Sequence, residues 1–351
     1  MDNSKTIDYI NQSFLSPLFL DPDITDITYN GKFVFYLHNL FGRKKSDIIV
    51  SQDEVKDFIR QIANMCEKQF SIQNPYLDLY IGHFRLSAVF QSIARVDGEK
   101  CITFSLRISK DRPVITDEST FLNDQLICLF KVLLQSKISI TIGGQTGCGK
   151  TEFQKYLLSK MPKNTRVVII DNTLELGQMS ANEDVDFNMW QSDERNLNIS
   201  LQDLIKVSLR SNPDWIIIAE SRGKEMLEIF NSAMTGHPVI TTIHAFDNET
   251  MPSRIARLIL MNGQKENYSL LMKDIFYYFK IYVFLKRTID HEGRVHRFIE
   301  EISEFDVDGK KNTIYLNKNG KILTSSFLPE TLLLLDYQDD VLFQKYYVRK
   351  K

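Results

Sequence analysis

Gly144-Gln-Thr-Gly-Cys-Gly-Lys-Thr151 is the stretch that decides the fold of this 351-residue chain. It matches the pattern G-x-x-x-x-G-K-[ST], in which a glycine-rich loop wraps around phosphate groups. Before it, Ile138–Ile142 alternates branched apolar and polar residues and predicts a strand. After it, Glu152–Leu158 has the apolar spacing of a helix that opens at Gly149 or Lys150. Strand, loop and helix in this order are the context that the motif requires.

Each residue type in this loop has a chemical task. The glycines allow positive φ angles and bring backbone N–H groups to phosphate oxygens, where a helix N-terminus adds partial positive charge. Lys150 can reach the β- and γ-phosphates, and the Thr151 hydroxyl can ligate Mg²⁺. A glycine-rich turn that binds nothing is the alternative, and the flanking strand and helix argue against it. We expect ATP and Mg²⁺ to be bound by Gly144, Gln145, Thr146, Gly147, Cys148, Gly149, Lys150, Thr151 and Glu152.

The composition is that of an ordinary globular protein of about two domains. Hydrophobic residues make up 43% of the chain and charged residues 25%, with a formal net charge of −2. This balance lacks the basic excess typical of nucleic-acid binding, so no direct nucleic-acid partner is expected. The four cysteines form no C-x-x-C pair, which predicts neither a zinc cage nor a disulfide framework and favours a reducing compartment.

No stretch approaches the roughly 18 to 20 apolar residues of a membrane-spanning helix, and the polar first residues lack the apolar core of a signal peptide. A cytoplasmic location is therefore expected, with any membrane association made peripherally through partners.

Two domains are predicted, with a boundary near Pro113. Residues 1–110 have the patterns of a smaller α+β domain, including a hairpin turn at Asn30-Gly31 and a helix start at Ser51. Residues 111–118 read as a linker. Residues 119–351 alternate strands and helices, which is typical of a mostly parallel sheet. The strand patterns after about residue 270 are expected to be edge hairpins that complete this domain.

Polar residues follow four predicted strands of the second domain. The phosphate loop follows the first, Asp171 to Glu175 follows Arg166–Ile170, Glu220 follows Trp215–Ala219, and His244 follows Val239–Ile243. The carboxyl ends of parallel strands form the ligand crevice of such a sheet. We therefore expect these groups to converge on the nucleotide.

With these residues in view, the chain resembles the type II/type IV secretion ATPases, also called traffic ATPases. The resemblance covers nearly the whole chain and is closest to the Tad-pilus and conjugation-type branch. It is carried by the phosphate loop, the acidic box from Asp171 to Glu175, the L-R-x-x-P-D…E-x-R-G string of Ser208–Gly223, and the T-G-H…T-I-H-A string of Thr235–Ala245. It implies an α/β fold in which a smaller α+β (PAS-like) domain precedes a RecA-like P-loop NTPase domain.

The resemblance also implies roles for single residues. Glu220 would orient Mg²⁺ through water, polarise the attacking water, or do both, while Glu175 is a further candidate for water activation. His244 would sense the γ-phosphate through a hydrogen bond. For each, a structural role such as a surface ion pair is the alternative. The arginines on or beside first-domain strands are candidate arginine fingers: Arg107 first, then Arg85 and Arg95.

The expected function is that of a homohexameric ATPase ring working on a membrane-embedded secretion or pilus platform. The acidic box departs from the usual E-D-x-x-E, because Asn172 replaces its second carboxylate. An ATP-binding assembly scaffold without turnover therefore stays open, as does a RecA-like motor acting on DNA. The chain also lacks the tetra-cysteine zinc ligands of many pilus-assembly members, which favours the shorter branch.

Overall fold

The computed structural model describes residues 3–109, 114–172, 175–176, 183–192, 199–263, 267–318 and 320–348. The chain forms two units. The first comprises Met1–Asp111 with Thr288–His296, and the second comprises Arg112–Arg287 with Arg297–Lys351. Among the described residues, no helix combines the length and apolar character needed to cross a membrane.

The first unit is a six-stranded sheet with helices against one face. Its helices are α1 (Ser4–Asn11), α2 (Ser16–Phe19) and α3 (Gln52–Met65). Its strands are β1 (Ile24–Tyr29), β2 (Val34–His38), β3 (Gly42–Lys45), β4 (Tyr76–Ile81), β5 (Phe84–Val89), β6 (Arg95–Val96), β7 (Glu99–Lys100) and β8 (Thr103–Ile108). The sheet has the order β3-β2-β1-β8-β5-β4, and β6 pairs with β7 separately.

Helix α3 begins at the predicted residue, since the Ser51 side chain accepts the N–H of Glu54. Its buried face carries Val55, Phe58 and Ile59, which pack with buried residues of the sheet in one core. The strands alternate buried and exposed residues, so the other face of the sheet is polar.

The second unit is built on a nine-stranded sheet with helices on both faces. Its helices are α4 (Asp124–Gln135), α5 (Lys150–Ser159), α6 (Leu201–Ser208), a 3₁₀ turn (Leu209–Ser211), α7 (Met226–Met234), α8 (Met251–Leu260), α9 (Tyr268–Tyr278), α10 (Pro329–Leu332) and α11 (Val341–Tyr347). Its strands are β9 (Ile140–Gly144), β10 (Arg166–Asp171), β11 (Asp186–Gln191), β12 (Trp215–Ile218), β13 (Val239–Ile243), β14 (Ile281–Ile289), β15 (Val295–Phe305), β16 (Lys311–Lys318) and β17 (Lys321–Thr324).

Six neighbouring strands of this sheet, β11-β10-β12-β13-β9-β14, are parallel. Successive residues of β12 face opposite cores: Trp215 and Ile217 pack with α4 and α5, and Ile216 and Ile218 pack with α7 and α8. Strands buried on both faces need apolar residues at every position, which explains the continuous apolar runs. The α/β prediction is confirmed by this arrangement.

The expectation that the strands after residue 270 lie at the edge is wrong for β14. This strand pairs in parallel with the P-loop strand β9, placing Leu285 opposite Gly144. Ile281–Leu285 is fully buried, as a central strand requires. Its unbroken apolar run was the signal of a buried parallel strand rather than an edge hairpin. Only β15, β16 and β17 continue the sheet outward.

Part of the predicted linker, from Val114 to Asp117, is hydrogen-bonded to α5, the helix that begins at the phosphate loop. The N–H of Val114 donates to Glu152 Oε2 at 3.1 Å. The Tyr156 hydroxyl donates to Asp117 Oδ1 at 2.9 Å, and Lys160 forms an ion pair with the same carboxylate. Partial burial would raise the pKa of Asp117, but the bonds from Lys160 and Tyr156 hold it below its ordinary value.

Asp117→Asn should lower the free energy of unfolding of the second unit by about 1 kcal/mol at pH 7, since solvent screens a half-exposed ion pair. The folded-state pKa is depressed, so this stabilisation is present above the ordinary pKa of 3.8 and is lost as the pH falls through the lowered value. Urea titrations of parent and variant between pH 7 and pH 3 measure the difference. Asp308→Asn, at an exposed turn of the same unit, is the control. A difference that stays constant over this range contradicts the assignment.

Candidate functional site

The predicted phosphate loop joins β9 to α5 through residues whose backbone requires glycine. Gly149 is the N-cap of α5 with φ of 100°, a conformation that residues with a side chain rarely adopt. A Cβ atom on Gly144 would lie 2.5 Å from the carbonyl oxygen of Leu285 and 2.6 Å from Sγ of Cys148. The loop therefore lies directly against the neighbouring strand β14.

The Lys150 side chain is buried inside this loop, with 8% of the residue exposed. Its Nζ donates to the carbonyl oxygens of Gly144 at 2.9 Å and Gln145 at 3.2 Å. Burial lowers the pKa of Lys150, and the nearby Glu220 carboxylate acts in the opposite direction. The ammonium is held by neutral acceptors, so anionic phosphate oxygens would be stronger partners for it.

Backbone bonds on both sides of Glu220 set its position after β12. The N–H of Ala219 donates to the carbonyl oxygen of Ile170 at 3.1 Å, and that of Ser221 to Thr242 at 2.9 Å. The Thr242 hydroxyl donates to the carbonyl oxygen of Ala219 at 2.8 Å. Since both flanking peptides are tied to neighbouring strands, the carboxylate projects from a fixed backbone at the carboxyl end of the sheet.

The Glu220 carboxylate lies between two nitrogen-bearing side chains. Arg222 donates Nη2–H to Oε2 at 2.6 Å, and His244 Nε2 lies 2.9 Å from Oε1. Burial by itself would raise the pKa of Glu220, but the hydrogen bond and charge of Arg222 hold it below its ordinary value. Oε1 is buried, and among the described residues no donor meets hydrogen-bond geometry at it. Glu220 is thus ionised at neutral pH, with Oε1 buried beside the His244 ring.

His244 follows β13 and lies between the cation and the carboxylate, with Nδ1 3.5 Å from Lys150 Nζ. Burial and the Lys150 cation lower the pKa of His244 below its ordinary 6.5. The imidazole is therefore neutral at pH 7. The fold thus brings together three of the predicted residues, Lys150, Glu220 and His244, which come from three neighbouring strand ends.

The acidic box is described only in part, since residues 173–174 lie outside the described residues. Asp171 is buried, and its Oδ2 accepts the N–H of Leu176 at 3.2 Å. Asn172 accepts a hydrogen bond from Gln191 through its carbonyl oxygen at 3.3 Å. Glu175 is half-buried. Its role in water activation stays a prediction.

Three arginines of the first unit, Arg85, Arg95 and Arg107, lie on strands, as predicted. Arg85 and Arg107 are directly opposite each other on β5 and β8 and therefore share a face of the sheet. Arg107 Nε donates to Asp26 Oδ1 at 3.1 Å, and Arg85 Nε lies 3.6 Å from Asp78 Oδ1. Arg95 instead binds carbonyl oxygens of its own turn. A catalytic role for any of them stays a prediction.

Sequence reasoning missed three residues that shape the site. Arg222 was visible two positions after Glu220 but was given no role. Glu225 accepts the N–H groups of Arg222 and of Gly223, the latter at 2.8 Å, and so holds the loop that carries Arg222. Arg297 on β15 donates Nε–H to the carbonyl oxygen of Gly147 at 2.8 Å. No local pattern could reveal this contact, because 150 positions separate the two residues.

Comparison with known proteins assigns this chain to a family. Residues 77–273, more than half of the chain, match the family described as type II/IV secretion system protein. The chain belongs to this family. The matched segment runs from β4 of the first unit to α9 of the second and includes Lys150, Glu220 and His244.

Relatives within the family cover the chain to different extents. An uncharacterized protein of Bacillus anthracis is 31% identical over 318 residues, 87% of this chain and 70% of that protein. The type IV secretion system protein VirB11 of Brucella suis is 29% identical over 168 residues, 46% of either chain. The chain thus spans about half the length of some curated relatives. In fold, the Legionella pneumophila ATPase DotB superposes with a TM-score of 0.61 at 19% identity, covering 81% of this chain and 77% of DotB.

A second cluster of potential metal ligands lies in the first unit, where Asp21, Asp23 and His38 have ligand atoms within 4.8 Å of one another. His38 Nδ1 accepts the N–H groups of Leu40 and Phe41 at 3.0 and 3.3 Å. Backbone N–H groups only donate, so Nδ1 carries no proton and Nε2 must carry it in the neutral ring. A protonated Nε2, 3.3 Å from Asp21 Oδ2, suits a hydrogen bond rather than a metal ion.

Lys150→Ala should raise the pKa of the His244 imidazole, because it removes the cation that disfavours protonation. NMR titration of the histidine side chains measures this, and the loss of one of six histidine signals in His244→Asn assigns the resonance. The parent value should lie below 6.5. Lys131→Ala removes a lysine of α4 that pairs with Asp340, and it should leave the pKa of His244 unchanged. The same pKa in parent and Lys150→Ala would contradict the electrostatic contact.

Proposed function

We propose that this protein is an ATP-hydrolysing motor, active as a homohexameric ring, that powers a bacterial secretion, conjugation or pilus-like machine. The observation that carries the proposal is the convergence of Lys150, Glu220 and His244 on the phosphate loop at the carboxyl ends of neighbouring parallel strands. These are a cation for phosphate, a carboxylate for water or metal, and a neutral hydrogen-bonding ring. Membership of the secretion family supports the type of machine.

ATP would lie with its phosphates in the loop from Gly144 to Thr151, beside Glu152. The first turn of α5 directs backbone N–H groups towards this loop, and Gly149 opens the helix in the required conformation. Lys150 donates to two loop carbonyl oxygens, those of Gly144 and Gln145. Exchange of these neutral acceptors for phosphate oxygens would stabilise the bound polyphosphate.

The residues present also fit a Mg²⁺ ion. Thr151 would supply its hydroxyl, and Glu220 would hold a metal-bound water through Oε1, the buried oxygen that has no hydrogen bond from the described residues. When bound, Mg²⁺ neutralises phosphate charge and so favours attack by water. Within the chain, Arg222 and the low pKa of Glu220 keep this carboxylate negative for that task.

Glu220 is our first candidate to polarise the attacking water, and Glu175 is the second. Glu220 is ionised and lies beside His244, which in turn lies beside Lys150 of the loop. His244, neutral at pH 7, would donate one hydrogen bond to the γ-phosphate and exchange it for Glu220 after hydrolysis. That exchange would make the imidazole a sensor of the nucleotide state.

We propose that Arg107, and after it Arg85, supplies the positive charge that stabilises phosphoryl transfer, within one chain or between subunits. To do so, Arg107 would have to break or share its contact with Asp26, and Arg85 its contact with Asp78. The partners would be other copies of this chain and membrane-embedded platform proteins, at the inner face of the cytoplasmic membrane. The near-neutral charge argues against a motor that acts on DNA.

Glu220→Gln should retain ATP binding but slow hydrolysis on the order of 10² or more, because the amide keeps the shape and loses the charge. Lys150→Ala should lose both activities, since it removes the buried cation of the loop. Phosphate release and fluorescent-nucleotide binding measure the two separately. Glu228→Gln is the control, a carboxylate of comparable burial that pairs with Lys206.

Two results would change the proposal. Near-parent hydrolysis by Glu220→Gln would move water activation to Glu175. A parent protein that binds ATP but releases no phosphate above background, alone or with membrane platform proteins, would support the assembly scaffold instead.

Arg107→Ala should reduce turnover by on the order of 10³ while ATP affinity falls much less, as expected for a group that acts on the transition state. Arg43→Ala is the matched control, since it removes another exposed strand arginine of the first unit, which donates to the Thr28 hydroxyl. Mixing Arg107→Ala with Lys150→Ala protein should restore part of the activity if the arginine acts between subunits. Full-rate hydrolysis by a monomer at micromolar concentration rules out the ring.

A further inference from the structure

Arg297 contacts the phosphate loop from a strand that the loop's own motif does not include. It lies on β15, which neighbours β14, and β14 in turn pairs with the P-loop strand β9. Its Nε–H donates to the carbonyl oxygen of Gly147 at 2.8 Å. A Cβ atom built on Gly149 would lie 3.8 Å from Arg297 Cδ, so the aliphatic part of the side chain runs beside the loop.

This hydrogen bond sets the direction of one peptide group. In a trans peptide, the carbonyl oxygen of Gly147 and the N–H of Cys148 point in opposite directions. With the carbonyl turned out to Arg297, the Cys148 N–H is turned into the loop. There its nitrogen lies 3.4 Å from the carbonyl oxygen of Gln145, longer than the usual 2.9 to 3.0 Å of such a bond. The donor points into the loop proposed to hold the phosphates, and its acceptor there is a weak one.

Packing alone does not hold this peptide. Gly147 has φ of 76°, and a Cβ atom on it would meet no atom of the described residues within 4 Å. A glycine in open space can rotate its peptide at little steric cost. On the other side, the Cys148 side chain is fully buried. The bond from Arg297 is therefore a directed restraint on the Gly147 carbonyl group, beside the long bond that the Cys148 N–H makes to Gln145.

The Arg297 side chain is suited to this task. Burial lowers the pKa of Arg297, and the positive charge of Arg287 lowers it further. A guanidinium group nevertheless stays protonated in proteins. A charged donor makes a shorter and stronger bond to a carbonyl oxygen than a neutral one does. Its planar group also fixes the direction of the Nε–H, which a flexible ammonium group would not.

We propose that Arg297 is a positioning residue of the phosphate site, which orients the Gly147–Cys148 peptide so that the Cys148 N–H faces the polyphosphate chain of the nucleotide. This inference rests on the proposed nucleotide binding and adds a residue to it. The residue acts through the loop backbone, so it strengthens binding of ground state and transition state alike.

The test is the affinity of parent and Arg297→Ala protein for ADP and for inorganic tripolyphosphate, measured by competition with a fluorescent nucleotide. Both dissociation constants should rise by about tenfold, since a directed charge-assisted bond is lost. KM for ATP should rise by a similar factor while kcat changes less than about threefold. Arg297→Lys should recover only part of the loss, because it keeps the charge without the fixed Nε–H.

Arg294→Ala is the matched control, because it removes an exposed arginine of the neighbouring chain segment that pairs with Glu292. Its ADP affinity should stay within about twofold of the parent. The melting temperature of each ligand-free variant shows that the fold is retained.

Other outcomes overturn the proposal in distinct ways. If ADP weakens but tripolyphosphate does not, Arg297 contacts the base or ribose. If kcat falls and ADP affinity is unchanged, it acts on the transition state. Full recovery by Arg297→Lys would show that charge alone matters. Loss of ADP affinity in Lys150→Ala but not in Arg297→Ala would refute this inference and leave the nucleotide site intact, whereas a parent that binds no ADP would remove both.

Discussion

The buried ammonium of Lys150 is the constraint on which the rest of the site depends. A cation removed from water must be compensated by nearby acceptors or carboxylates. Here two loop carbonyl oxygens bind it directly, while Glu220 supplies negative charge at longer range through His244. The neighbouring groups respond in turn, since Lys150 helps to lower the pKa of His244 and Arg222 keeps Glu220 ionised. Binding of a polyphosphate would therefore change the charge compensation of Lys150, Glu220 and His244 together.

This arrangement is held by the parallel sheet and by bonds to helix α5. Gln154 of α5 donates to the carbonyl oxygen of Ile218, directly before the Glu220 turn, at 2.9 Å. The same helix also binds the predicted linker through Glu152 and Tyr156. Arg297 restrains the loop from β15. Hydrogen bonds thus connect α5 both with the strand before Glu220 and with the predicted linker.

Sequence patterns are informative about α5 and the central strands because their signals are local. The glycine spacing, the helix start at Ser51 and the apolar run Val239–Ile243 each predict one element, and the structure has each of them. Strand β14 was wrongly predicted to lie at the edge of the sheet, because a short apolar run does not indicate which strand it pairs with. Strand β11, between Asp186 and Gln191, has a mixed pattern suited to an edge and was not predicted.

By itself the sequence determined that a phosphate loop joins a buried strand to a helix, and that Glu220 and His244 follow other buried strands. Those statements follow from residue types within a few positions of each other, where backbone conformation is decided by local sterics and hydrogen bonds. Only the tertiary structure decided that Leu285 lies against Gly144, that Arg222 keeps Glu220 ionised, and that Arg297 binds Gly147. Strand order and side-chain direction set these contacts, and both arise from burial of the whole sheet, which no single segment encodes.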